Sequence, residues 1–136
     1  MPAGYSGTPL FKKLGLRPGM ACQALDPPDD YGDLMAGLPG DVDFGSRQRG
    51  PLDFVHVFVT EADGLQDRLT KLRLQITPTG MIWVSWPKKA SGVETDVNGN
   101  VVRDAGLGAG LVDIKVCAVD ETWSGLKFVI PRARRG

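Results

Sequence analysis

Met81-Ile82-Trp83-Val84-Ser85-Trp86-Pro87-Lys88-Lys89-Ala90-Ser91-Gly92 is the stretch that decides the fold. It begins as a β-branched and aromatic run, the composition of a strand buried in a sheet. It then changes abruptly into a proline, two lysines and a small, flexible loop. In an open α/β sheet, ligands bind in the crevice beyond the carboxyl ends of the strands. A cationic loop at that place marks an expected site. No complete catalytic motif accompanies it, so the residues define architecture and site position before chemistry.

Upstream, Asp53-Phe54-Val55-His56-Val57-Phe58-Val59 is apolar on both faces, as a strand covered by helices on both sides should be. Thr60 or Asp63 is expected to cap a helix whose apolar stripe is Leu65, Leu69, Leu72 and Ile76. Pro78-Thr79-Gly80 is expected to close it before the next strand. Nearer the N-terminus, Thr8 is expected to cap a short helix that opens with Pro9 and stops at Gly15. Met20 to Leu25 is the first strand, ended by Asp26-Pro27-Pro28. Asp29 or Asp30 then caps a second helix carrying Tyr31, Leu34, Met35 and Leu38, stopped by Pro39-Gly40, with a brief strand at Val42 to Phe44.

Downstream, a loop from Lys88 to Asp96 leads into a helix starting near Val97 to Val101 and ending around Gly108 to Gly110. Val112 to Val119 and Leu126 to Ile130 are strands joined by the six residues Asp120-Glu121-Thr122-Trp123-Ser124-Gly125. That link is too short for a helical crossover, so the pair is an antiparallel hairpin. The expectation is an α/β fold: a minimal Rossmann-like three-layer sandwich with a mainly parallel sheet of five or six strands and a C-terminal antiparallel hairpin. Residues 1–136 read as a single domain, with a flexible arm over 1–7 and a basic tail over 132–136.

At 136 residues and 42% hydrophobic content, the chain suffices for one core. Sixteen basic residues balance sixteen acidic ones, which argues against nucleic acid and an anionic membrane as partners. The apolar runs fall far short of the roughly 18 residues of a spanning helix. Met1 to Thr8 lacks a basic region followed by an apolar one, so a cytoplasmic location is expected. Cys22 and Cys117 lie in apolar stretches, with neither a CxxC spacing nor a nearby histidine, and read as buried small hydrophobes rather than metal ligands.

Two resemblances cover nearly the whole chain. Gly4-Tyr5-Ser6-Gly7-Thr8-Pro9-Leu10, Trp83-Val84-Ser85-Trp86-Pro87-Lys88-Lys89 and Val116 to Lys127 resemble a family of small bacterial proteins of unknown function. More distantly, Leu16-Arg17-Pro18-Gly19-Met20, Pro51-Leu52-Asp53-Phe54-Val55 and Thr77 to Val84 resemble the approaches to the first, fourth and fifth strands of class I S-adenosylmethionine-dependent methyltransferases. The terminal hairpin is similar to their sixth and seventh strands. That resemblance implies a glycine-rich turn after the first strand and an acidic residue ending the second. Here the turn is Leu25-Asp26-Pro27-Pro28-Asp29-Asp30-Tyr31, the second position is Gly45-Ser46, and no helix–strand–helix unit fits before Asp53. S-adenosylmethionine is therefore not the expected cofactor, and no other cofactor is expected.

The candidate ligand-binding residues are Lys88, Lys89, Trp86, Asp120, Glu121, Trp123 and Tyr5. The two lysines suit a phosphate or carboxylate, unless they are solvated or paired with Asp120, Glu121 or Glu61. Trp86 and Trp123 sit at strand ends, where an amphipathic ring can close a pocket or pack at the core rim. Tyr5, between two glycines, suits an arm that folds over a site. Trp83 and Ser85 share one strand face, Val84 and Trp86 the other. His56, the only histidine, reads as a core residue, with Ser85 on a neighbouring strand as its conceivable contact. No residue is assigned a catalytic role. The sequence reading favours a non-catalytic binding or regulatory module whose partner is a small anionic ligand or a protein. The alternative is a small enzyme binding an anionic or nucleotide-like ligand at Lys88 and Lys89.

Overall fold

The computed structural model describes residues 9–38, 44 and 51–134. The arm with Tyr5, the stop at Pro39-Gly40, Gly45-Ser46 and Arg135 lie outside the described residues, as do Val42 and Asp43 of the brief strand expected to end at Phe44.

The elements run α1 (Leu10–Lys13), β1 (Cys22–Leu25), α2 (Tyr31–Leu34), β2 (Leu52–Phe58), α3 (Leu65–Arg73), β3 (Ile76–Pro87), α4 (Gly99–Gly108), β4 (Val112–Ala118) and β5 (Trp123–Val129), with single 3-10 turns at Lys89–Ser91 and Arg132–Arg134. They build one five-stranded sheet in the order β1-β2-β3-β5-β4. β1, β2 and β3 are parallel, and β5 runs antiparallel to both β3 and β4. The α/β architecture and the C-terminal hairpin thus match the expectation.

Alternation along the strands divides the core in two. On one face Val55, Val57, Ile82, Val84, Trp86, Leu126 and Phe128 pack against Leu65, Leu69 and Leu72 of α3 and Val102 and Ala105 of α4. On the other, Cys22, Phe54, Met81, Trp83 and Cys117 pack against Phe11, Leu14 and Leu16 from α1 and the turn after it, and against Met35 just past α2. Side chains on a strand point alternately to opposite faces, so β2 and β3 must be apolar throughout. Trp83 is fully buried, and its indole Nε1 donates to the Leu14 carbonyl at 2.8 Å, which satisfies its one polar atom.

Several boundaries differ from the expectation for local reasons. The α3 stripe ends at Leu72, and Ile76 instead opens β3 opposite Leu52. Pro78, Thr79 and Gly80 therefore lie inside the strand. Proline is tolerated there because β5 begins pairing only at Met81, so residues 76–80 have no ladder on that side. Gly80 sits where the β2–β3 register slips, and a Cβ there would lie 2.9 Å from the Leu52 carbonyl oxygen. Helix α3 starts from Gly64, with φ +76°, rather than from a Thr60 or Asp63 cap. Helix α4 is capped by Asn98, whose side chain accepts from the Val101 N–H at 2.9 Å. Neither α1 nor α2 is longer than one turn, and Asp30 makes no side-chain cap on α2.

Candidate functional site

Parallel order brings the ends of β1, β2 and β3 to one rim, and antiparallel pairing adds the β4–β5 turn beside them, with Pro87 opposite Trp123. The rim loops are tied to one another. Thr95 Oγ1 donates to the Thr60 carbonyl at 2.6 Å, and the Ala62 N–H to Asp96 Oδ1 at 2.8 Å. Arg68 of α3 reaches across to Asp26, Nη2 to Oδ2 at 2.9 Å. Between these loops lies a hollow of about 370 Å³, walled by Asp26, Thr60, Glu61, Asp63, Arg68 and Trp123 over a floor of Phe58 and Val59. Three carboxylates face one guanidinium there, and Arg68 already holds Asp26.

The structure distributes the predicted site residues unevenly. The Lys88 ammonium donates to the Asp120 carbonyl at 2.5 Å and its N–H to the Thr122 carbonyl at 2.7 Å, so Lys88 fastens the end of β3 to the hairpin turn. Asp120 Oδ1 accepts from the N–H groups of Thr122 and Trp123 at 2.8 and 2.7 Å. That local bonding lets β5 begin at Trp123, three residues earlier than expected, and shortens the turn. Lys89 and Glu121 are exposed on the rim. Trp86 is turned away from the rim into the core, only 9% exposed, with the α4 backbone at Gly99 beside its ring. Trp123 alone among the three tryptophans lines the rim hollow, edge-on to Phe58 at 5.0 Å.

Sequence reasoning offered a His56–Ser85 contact but not the constellation around it. Phe54, His56 and Phe58 alternate onto one face of β2, and Tyr31 of α2 closes edge-on over His56 and Phe58, each at 5.5 Å. His56 Nδ1 meets the Tyr31 hydroxyl at 3.0 Å, and His56 Nε2 meets Ser85 Oγ at 2.7 Å. His56 and Ser85 are both fully buried. Burial pushes the His56 pKa down to about 3, so the ring is neutral at physiological pH. A neutral imidazole has one donor and one acceptor, and two hydroxyls satisfy both. Burial, with a smaller contribution from Cys22, drives the Tyr31 hydroxyl well above its ordinary value, so it stays protonated. The available signal was the i, i+2 aromatic spacing of Phe54, His56 and Phe58; the Tyr31 partner was not readable.

This constellation has the residue types of a nucleophile–base relay without the access. A serine with no exposed surface cannot reach a substrate, and a histidine whose protonated form is disfavoured down to about pH 3 is a weak base for the serine hydroxyl. Among the described residues no group of His, Cys, Asp and Glu is arranged to hold a metal, and both cysteines are buried and not bridged by a disulfide. No helix among the described residues is long and apolar enough to cross a membrane.

The architecture is that of a Rossmann-like, class I methyltransferase fold. Three solved structures carry the likeness. A putative methyltransferase from Thermoplasma acidophilum is 10% identical, with 92% of this chain and 75% of that chain covered at a TM-score of 0.53. The ribosomal protein L11 methylase of Lactobacillus delbrueckii subsp. bulgaricus is 11% identical, with 90% and 76% covered at 0.55. A SAM dependent methyltransferase from Aquifex aeolicus is 17% identical, with 90% and 88% covered at 0.54. At such identities the likeness is one of fold alone. The order β1-β2-β3-β5-β4 is consistent with the sequence correspondence to first, fourth, fifth, seventh and sixth strands. Residues 12–132 match the family described as "Protein of unknown function (DUF3052)", and the chain belongs to that family. No curated protein sequence matches it.

Proposed function

We propose that this protein is a non-catalytic binding or regulatory module that uses the rim of a methyltransferase-like sheet as its contact surface. The observation that carries this reading is the burial of the Tyr31–His56–Ser85 chain, the one arrangement among the described residues with the residue types of an acid–base–nucleophile set. The rim itself presents carboxylates, Trp123 and a paired arginine, which suit recognition by hydrogen bonding and stacking. The contact surface is centred on Asp26, Glu61, Asp63 and Trp123, with Lys89 and Glu121 at its margin. This reading treats Lys88 as a fastening of the hairpin turn, supported by the bond that one of its three ammonium donors makes to the Asp120 carbonyl.

S-adenosylmethionine fits this turn poorly. After β1 the backbone takes a left-handed step at Asp26, φ +53°, with a side chain where glycine would leave room for a cofactor. Pro27 and Pro28 follow, removing two N–H donors that a bound carboxylate could use. Arg68 spans the crevice to Asp26. A cytoplasmic setting belongs to the same proposal and is supported by two buried cysteines that are not bridged.

The test is a melting-temperature screen against S-adenosylmethionine, nucleotides and phosphorylated metabolites, since a native-state ligand at 100 times its Kd stabilises by about 2.7 kcal/mol. The expected result is no shift with S-adenosylmethionine and no methyl transfer, and stoichiometric binding of a partner that Trp123→Ala and Asp63→Lys abolish. Turnover of any substrate that Asp26 or Trp123 variants eliminate would overturn the reading.

A further inference from the structure

The opposite end of the sheet's α1 face carries a second concavity, of about 610 Å³, between the turn after α1 and strands β3 and β5. Its floor is apolar, made by Phe11, Leu16 and Met81, all buried. Among the described residues its walls carry Lys12, Arg17 and Lys127 and no carboxylate. Lys115 stands directly opposite Lys127 across the β4–β5 pair, a placement that repels. Its ammonium reaches the Lys13 carbonyl at 3.3 Å.

Lys127 is half-buried, and its ammonium lies over Gly15, 3.7 Å from where a Cβ would stand on that residue. Among the described residues, no carboxylate pairs with Lys12, Arg17 or Lys127, while the two ion pairs present lie elsewhere, at Arg68–Asp26 and Arg103–Asp113. Burial, and then the charges of Lys115 and Arg17, push the Lys127 pKa down. A chain with no net charge has thus gathered like charges around an apolar hollow, where each raises the free energy of the others. An anion would relieve that repulsion, and the floor can cover an apolar body attached to it.

We propose that this hollow binds a small amphiphilic anion, a carboxylate or phosphate monoester whose charged group sits among Lys12, Arg17 and Lys127 and whose apolar part lies on Phe11, Leu16 and Met81. The site is separate from the rim and does not depend on what the rim binds. Its concave shape and size suit a small molecule rather than a flat macromolecular surface.

Isothermal titration with octyl phosphate, octanoate and neutral octanol tests it. The expected result is saturable binding of both anions to the native protein, at least about tenfold tighter than octanol and weakened by salt. Lys127→Met keeps the packed stem and removes the charge, so it is expected to fold with an unchanged or higher Tm and to bind octyl phosphate about tenfold or more weakly. Arg17→Gln should weaken binding similarly, and Lys89→Ala on the rim should not. The proposal fails if neither anion binds up to about 1 mM. It fails equally if Lys127→Met binds as the native protein does, or if Lys89→Ala removes the binding. Adsorption to anionic phosphatidylglycerol vesicles without binding of monomeric octyl phosphate also overturns it.

Discussion

His56 Nε2 lies 2.7 Å from Ser85 Oγ, joining the middle of β2 to the end of β3 on the face opposite the long helices. The contact is made where neither residue has any exposed surface. It is a structural hydrogen bond, extended by Tyr31 on the ring's other nitrogen, and it converts a polar residue in an apolar strand into a specific cross-strand fastening. Four predictions follow from this contact and the packing and turn bonds around it.

His56 should make stability depend on pH. Its folded pKa near 3 is below the ordinary 6.5, so beneath about pH 6.5 the unfolded chain takes up a proton that the native protein refuses. The contribution is complete above pH 6.5 and is lost as pH falls towards 3, at up to about 1.4 kcal/mol per pH unit. Urea unfolding at about pH 6.5 and about pH 5 should show the decline, and His56→Phe should flatten it. An imidazole resonance titrating near pH 6.5 would contradict the assignment.

Ser85→Ala should destabilise the protein by about 1–3 kcal/mol, because it leaves a buried ring nitrogen without a partner. Replacing both members is expected to be milder than the sum of the two single changes, since the double change leaves only the Tyr31 hydroxyl without its ring partner, a loss that His56→Phe alone already carries. Denaturant midpoints for Ser85→Ala, His56→Phe and the double variant give the coupling directly. Additive effects would show that the 2.7 Å contact contributes nothing.

Gly106→Ala should be harmful although alanine is the better helix former by about 1 kcal/mol. Gly106 lies in α4, and a Cβ there would come within 2.1 Å of the fully buried Phe128 ring. Overpacking of that kind costs about 1–3 kcal/mol or more, which outweighs the propensity gain. A melting temperature that rises in the variant would show that β5 and α4 separate more easily than their packing indicates.

The two adjacent lysines should behave differently. Lys88→Met removes a charged donor from the Asp120 carbonyl and is expected to lower stability by about 1.5–3 kcal/mol. Lys89→Ala, at an exposed position, should stay within about 0.5 kcal/mol of the native protein. Equilibrium unfolding of both variants checks this, and equal effects would mean that Lys88 does not hold the hairpin turn.

Legibility varied with how local the governing interaction is. β2 and the aromatic half of β3 were readable because a strand buried on both faces must be apolar at every position. The α3 stripe was readable through Leu72 and misled at Ile76, which fits a helix stripe and opens a strand equally well. What separates the two is pairing with Leu52, 24 positions away in sequence and invisible to a local window. The hairpin was readable from its short link, but its early start at Trp123 depends on the Asp120 carboxylate bonding its own turn. The rim was readable as the set of strand ends. For Trp86 and Lys88 the sequence left two roles open each, and the choice between them rests on packing against α4 and on the Asp120 carbonyl, which no local window contains.

Residue pattern alone is enough to specify an α/β fold, a parallel run closed by an antiparallel hairpin and the position of its rim. These follow from apolar periodicity, turn residues and link lengths, which are properties of neighbours in the chain. The tertiary structure decided which polar groups are engaged with one another. It gave Lys88 to Asp120, Ser85 and Tyr31 to His56, and Arg68 to Asp26, and it gathered Lys12, Arg17 and Lys127 around one apolar hollow. Such pairings join residues far apart in sequence, and their strength depends on distances and burial that exist only after the sheet has formed.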